Sequence, residues 1–128
     1  MNYLLDTHAL IWYLFDLDRL PDNLRRLITN EANVYASLVS IWEIAIKVKI
    51  GKLDIQYTPQ EILALCHNES ISILDITIHH IDATMSLPLL PYHRDPFDRL
   101  LIAQAKVEDM TLTTCDRHIP QYSIRTLW

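Results

Sequence analysis

The stretch NYLLDTHALIWYLF, residues 2–15, decides how this chain folds. Asn2 to Leu5 is a short apolar run that reads as a strand, and it stops at Asp6. From Thr7 to Phe15 the pattern becomes a short helix rich in aromatics; Trp12, Tyr13 and Phe15 need a surface to pack on. Strand, acid and helix in that order open a βα unit. Ligand sites in α/β sheets lie beyond the carboxyl ends of the strands, which is where Asp6 stands.

The same alternation recurs along the chain. Pro21 opens a helix to about residue 29, with Leu24, Leu27 and Ile28 at helical spacing. Asn33 to Ala36 is a second strand. Ser37 caps a helix over about 38–50 that Gly51 stops. Pro59 opens a helix to about 68, Ile71 to Leu74 is a third strand, and Thr77 caps a helix to about 86. Pro88, Pro91 and His93 fall in a loop, and Asp95-Pro96 begins a helix to about Asp109. Met110 to Thr113 and Ser123 to Leu127 complete the strands. Short strands alternating with longer helices predict a three-layer α/β/α domain around a mainly parallel sheet of four to five strands. With one glycine and no low-complexity linker, residues 1–128 read as a single domain.

Composition narrows the function classes. The formal net charge is -5, with no basic tail or Lys/Arg stripe, which argues against a sequence-independent DNA coat. A nucleic acid can still be handled if bound divalent cations offset the carboxylates. Cys66 and Cys115 form no CxxC pair and no disulfide framework, so they read as reduced thiols. The N-terminus lacks a basic segment, Asp6 and His8 interrupt its apolar run, and no stretch is long enough for a membrane span. The expectation is a soluble cytoplasmic protein.

Four carboxylates carry the chemistry. Asp6 is an ordinary helix N-cap, but capping uses one oxygen and leaves the other for a metal. Glu43 breaks a helix that is apolar almost all round, so an ionised carboxylate there needs a partner. Lys47 at i+4 is one candidate, and a capping box with Ser40 is another if the helix starts late. In HRDPFDRLLIAQA, residues 93–105, Asp95 suits the N-cap and Asp98 the third position of a capping box. Asp98 nonetheless projects towards Ile102 and Ala105, on the covered side. Asp116 follows the fourth strand, flanked by Thr114 and Arg117, and reads alone as a turn aspartate.

Together, Asp6, Glu43, Asp98 and Asp116 bring hard oxygen ligands from separate elements, which suits Mg²⁺ or Mn²⁺. Packed like charges require such compensation, and metal-assisted phosphodiester hydrolysis uses it. No serine–histidine–acid order or zinc spacing competes. His79 and His80 are adjacent and point apart, while His8, His93 and His118 are scattered and read as loop or packing residues.

These residues resemble PIN-domain ribonucleases, specifically the toxin component of VapBC-type toxin–antitoxin systems. The resemblance rests on LLDTHALIWYL (4–14), YASLVSIWEIAIKVKIGKL (35–53), HRDPFDRLLIAQA (93–105) and LTTCDRHIPQY (112–122) in that order, and is effectively end to end. It implies a PIN-like fold, with Asp6 as the strand-end acid and Glu43 as the helical glutamate. Asp98 matches the aspartate opening the D-R-L-I-A helix, and Asp116 the acid of the T-x-D pattern. It gives Asp95 a capping or supporting role beside Thr114, Thr7 and Ser40, and leaves Cys115 without one. It further implies Mg²⁺ or Mn²⁺ dependence, RNA cleavage, a homodimer or larger toxin–antitoxin assembly, and a VapB-type antitoxin that blocks the site. Arg94, Arg99, Arg117 and Lys47 are the candidate RNA contacts nearest in sequence. The surplus of aromatics, Trp12, Tyr13, Phe15, Trp42 and Trp128, leaves some for a dimer face or antitoxin groove.

Three rivals are weighed. A structure-specific DNA nuclease would need more duplex-binding surface than this length leaves, and a silent interaction module would not need four awkwardly desolvated acids. An aspartyl-phosphate phosphatase would place a second acid two residues after Asp6, where His8 stands.

Overall fold

A computed structural model describes residues 1–30 and 33–128. Five strands, β1 (Tyr3–Leu5), β2 (Val34–Ser37), β3 (Ser72–Leu74), β4 (Thr111–Thr113) and β5 (Thr126–Leu127), form one sheet in the order β3-β2-β1-β4-β5. Every pairing is parallel. The helices are α1 (Thr7–Phe15), α2 (Asp22–Asn30), α3 (Leu38–Lys49), α4 (Pro59–Asn68), α5 (Ile78–Thr84) and α6 (Pro96–Val107). Short 3-10 turns at Leu17–Arg19 and Ile119–Tyr122, which the sequence pattern does not announce, tighten two connections. The three-layer parallel architecture expected from the sequence is what forms, with α5 ending short of residue 86.

The period-two rule of strands divides the core. Leu5, Val34 and Ala36 face one layer, joined by Leu10, Leu24, Ile44 and Ile62. Leu4 and Leu112 face the other, with Leu101, Ile102, Ala105 and Tyr122. Consecutive Leu4 and Leu5 are both fully buried because helices cover both faces of a parallel sheet. Trp12, Tyr13 and Phe15 pack partly buried against the first cluster, as their place on α1 requires.

Helix ends follow local chemistry. Ser37 Oγ accepts from Val39 N–H at 3.0 Å and starts α3. Gly51, at φ +79°, stops it: its N–H reaches Val48 O at 3.2 Å, and Lys52 N–H reaches Lys47 O at 2.9 Å, a Schellman ending that needs a left-handed residue. Thr58 and Thr77 form capping boxes with Glu61 and His80.

Buried Gln104 ties α6 to the ends of β2 and β3 and to α5. Its Oε1 accepts from Ser37 Oγ at 2.6 Å, and its Nε2 lies 3.2 Å from Asp75 O and 3.3 Å from His80 Nδ1. Because Thr77 N–H also donates to Nδ1, the His80 proton sits on Nε2 and points at Glu108, 2.8 Å away. The network fixes α6 against the end of β2 and against α5. The chain leaves β1 towards β2 and β3 on one side and returns as β4 on the other. The order therefore reverses between β1 and β4, and a crevice opens at their carboxyl ends.

Candidate metal centre

Leu5 is paired in register with Thr113, so Asp6 and Thr114 leave the sheet side by side at that crevice. Asp6 N–H donates to Thr113 O at 3.0 Å, and Asp6 Oδ1 accepts from Ala9 N–H at 2.8 Å as the N-cap of α1. Burial pushes the Asp6 carboxyl above the usual carboxylate range. The Thr114 hydroxyl, the Ala9 N–H and His8 oppose the shift, while the Glu43 charge adds to it.

Glu43, on the first half of α3, is 6% exposed. Its Oε1 is 2.7 Å from the Thr7 hydroxyl and its Oε2 is 3.0 Å from Lys47 Nζ. The i+4 partner expected from the sequence is present, although the carboxylate end of the pair is buried. The Ser40 capping-box alternative does not form, because α3 begins one turn earlier at Ser37. Ser40 instead sits buried, its Oγ 3.0 Å from Thr7 Oγ1.

On α6, Asp95 caps the helix through Oδ1, accepting from Phe97 N–H at 2.8 Å and Asp98 N–H at 3.3 Å. Asp98 makes no capping box. Its Oδ2 turns to His93 Nε2, 3.2 Å away. Burial, then the charges of Asp95 and Glu43, push the Asp98 acid up to about 6, against the pull of His93.

Asp116 follows β4 in a tight turn. Its N–H donates to Thr114 Oγ1 at 3.1 Å and its Oδ1 accepts from His118 N–H at 2.9 Å, the turn role expected of it. Its Oδ2 remains available and lies 3.5 Å from His93 Nε2. One ligand atom each from His93, Asp98 and Asp116 falls within 4.8 Å of the others, a spacing able to hold a divalent cation. Asp6 and Glu43 lie outside that tight triad. The Glu43 charge is still felt by both Asp6 and Asp98.

His93 adds to the sequence reading. It keeps the loop position and packing role expected of it, and the fold also sets it between two of the four acids. Its signal was its place at the head of HRDPFD, five residues before Asp98, where the Leu90–His93 bridge folds the loop back. Half-buried Asp98, its acid raised by partial burial and by neighbouring acids, stands next to a second carboxylate and brings oxygen donors to the site. That donor set fits Mg²⁺ or Mn²⁺.

The cationic candidates divide. Arg99 donates to Pro88 O at 2.8 Å and reaches Thr84 O and Leu87 O, so it clamps the connection into α6 rather than facing a substrate. Arg94 and Arg117 are exposed. Lys47 lines a groove of about 390 Å³ together with His8, Trp12, Arg19 and Lys52. None of the four acids lines this groove, which is joined to them through the Lys47–Glu43 pair. Arg19, missed by the sequence reading, stands 5.1 Å from the centre of the Trp12 ring. Among the described residues no helix is long and apolar enough to cross a membrane.

A family model described as PIN domain matches residues 3–124. A comparison with curated protein sequences gave no match. Among solved structures, the chain is similar to one in the crystal structure of VapBC2 from Rickettsia felis bound to a DNA fragment from their promoter. The TM-score is 0.70 and the identity 19%, over 99% of this chain and 98% of that one. It is also similar to one in DNA-bound VapBC from Salmonella typhimurium, with TM-score 0.70 and 17% identity over 99% and 97%. For FitAcB from Neisseria gonorrhoeae the values are 0.65 and 18%, over 98% and 96%. At these identities the likeness is one of fold.

Proposed function

The chain belongs to the PIN-domain family, and on that footing we propose that it is a metal-dependent endoribonuclease acting as the toxin of a toxin–antitoxin pair. The convergence of Asp98, Asp116 and His93 within 4.8 Å carries the reading. Asp6, Glu43, Asp98 and Asp116 are the acids proposed to hold Mg²⁺ or Mn²⁺. A bound cation of this kind supplies an activated water and charge stabilisation at phosphorus.

The chain's own residues do the rest. Asp6 keeps its second oxygen free while the first caps α1. The Thr7 hydroxyl and Lys47 hold the two oxygens of Glu43 apart and fixed. Thr114 holds the turn that aims Asp116. The groove joined to the acids through Lys47 offers Arg19, Lys47 and Lys52 for phosphates, against Asp16 and Asp54 in the same lining, and Trp12 for stacking a base, which supports a single-stranded RNA in preference to a duplex. The cationic excess of this lining is small and local, in keeping with a net charge of -5.

The structures of VapBC and FitAcB support an antitoxin partner of the VapB type. Exposed Ile78 and Ile81 on α5 and Met85 just after it, with Trp42 on α3, support surface covered in a homodimer or larger assembly. The test is cleavage of total cellular RNA by the purified chain in Mg²⁺ or Mn²⁺, with Asp98→Asn and Asp6→Asn alongside. Loss of cleavage in folded variants is expected, and undiminished cleavage overturns the site. The second reading, a DNA nuclease of the same chemistry, wins if single-stranded DNA of matched sequence is cut at least as fast as RNA.

A further inference from the structure

The side of His93 facing away from the acids fixes what its other side can do. Tyr122, buried in the 3-10 turn after β4, places its hydroxyl 2.8 Å from His93 Nδ1 and 3.2 Å from the His93 carbonyl oxygen. A phenol has one proton, and a carbonyl oxygen can only accept. Both bonds are made together only if Tyr122 donates to the carbonyl and accepts from Nδ1–H. Nδ1 therefore carries a proton, so the nitrogen facing Asp98 Oδ2 and Asp116 Oδ2 is Nε2, and a cation bound there in place of any Nε2 proton leaves the ring as the Nδ1–H tautomer. The ring has little freedom to turn away. It is 7% exposed, with the Tyr122 ring edge-on at 5.4 Å and the His118 ring at 6.0 Å.

We propose that His93 is itself a ligand of the divalent cation through Nε2, held in that tautomer by Tyr122. A nitrogen donor then biases the site towards Mn²⁺ over Mg²⁺. The inference rests on the metal-dependent reading above and deepens it. Mg²⁺ takes oxygen and water ligands almost exclusively, whereas Mn²⁺ stands next to the metals that accept imidazole readily. A metal-bound histidine whose other ring N–H is held by a fixed acceptor is the arrangement that orients the ring and raises its basicity as a ligand. Tyr122 is the positioning residue of this pair.

The test uses the full chain loaded with one equivalent of Mn²⁺ and needs no turnover. Pulsed electron paramagnetic resonance is expected to show ¹⁴N coupling from a directly bound imidazole in the wild type and none in His93→Gln. Calorimetric titration with Mn²⁺ and with Mg²⁺ separately is expected to show Mn²⁺ affinity falling in His93→Gln by at least the roughly 10–100-fold that loss of an outer-shell partner costs. Mg²⁺ affinity should change far less, since glutamine offers an oxygen. Tyr122→Phe should keep the nitrogen signal but lower the Mn²⁺/Mg²⁺ affinity ratio; a merely structural role would lower thermal stability and leave the ratio alone. Bound Mn²⁺ in the wild type without nitrogen coupling overturns the proposal and leaves the metal-dependent reading standing. Failure of the wild type to bind either ion overturns both. The wild-type spectrum decides the matter even if His93→Gln does not fold.

Discussion

Asp98 Oδ2 and His93 Nε2 stand 3.2 Å apart, and that contact does not bring the Asp98 acid back to its ordinary value. The acid is held at about 6 because burial, Asp95 and Glu43 all disfavour its charged form. A carboxyl raised in the folded state binds its proton there more tightly than in the unfolded chain. Its penalty on stability therefore grows as pH rises from about 4 to about 6 and is complete above that. Asp98→Asn is expected to raise the metal-free melting temperature at pH 7.5 by several degrees, about 1–2 kcal/mol after solvent screening, with the gain vanishing near pH 4. Thermal melts in chelator at the two pH values check this, and an Asp98→Asn chain less stable than wild type at pH 7.5 would refute it.

Added metal should reverse that order. An ion bound only by the folded state stabilises it by about 2.7 kcal/mol at a hundred times its dissociation constant. Wild type should therefore gain in melting temperature with Mg²⁺ or Mn²⁺, and the gain should shrink below about pH 6, where Asp98 takes up its proton. Asp98→Asn and Asp116→Asn should show little gain at any pH. Both should cut RNA about 10²–10³-fold more slowly, the scale of losing one fixed electrostatic group at a reacting centre. Equal metal-induced shifts in wild type and Asp116→Asn would remove Asp116 from the site.

Lys47 neutralises Glu43 within the protein, 3.0 Å from Oε2. Without that ammonium the buried carboxylate loses its charge partner, though Thr7 still donates to the other oxygen. Lys47→Met should thus lower metal-free stability by about 1–3 kcal/mol while strengthening Mg²⁺ binding a few-fold, because the freed charge adds to the field on the cation. Urea titration in chelator and calorimetry with Mg²⁺ measure the two effects. Weaker Mg²⁺ binding in the variant would mean that Lys47 organises the site rather than competing with the ion.

Much of this arrangement was legible in the chain because it rests on local patterns. The runs at Leu4–Leu5 and Thr111–Leu112 with their trailing acids set the sheet edge. The apolar wheel of α3 already buries Glu43, and Asp95-Pro96 announces the start of α6. What escaped depends on contacts between distant segments. His93 and Tyr122 are 29 residues apart, and only the return of the chain through the turn after β4 brings them together. Arg99 looks solvent-facing on a helical wheel, yet three carbonyls of the preceding connection occupy it. Periodicity reports which side of an element is covered, not which polar group covers it.

Gln104 is the sharpest case of such a hidden contact, and its removal should be costly. It sits fully buried among the apolar side chains of α6, with Ser37 Oγ on its oxygen and Asp75 O within reach of its nitrogen. Gln104→Leu keeps the volume close but leaves the Ser37 hydroxyl without its acceptor and the Asp75 carbonyl without its donor. His80 Nδ1 retains Thr77 N–H. At about 1–3 kcal/mol for each unsatisfied buried group, the expected loss is about 2–4 kcal/mol. It should be read as a lower urea midpoint with an unchanged slope. Because Gln104 fixes α6 to the end of β2, the variant should also bind Mn²⁺ more weakly even where it remains folded, as Asp98 on the same helix loses its fixed aim. A variant that melts early but binds the ion as the wild type does would separate the two roles and confine Gln104 to the fold.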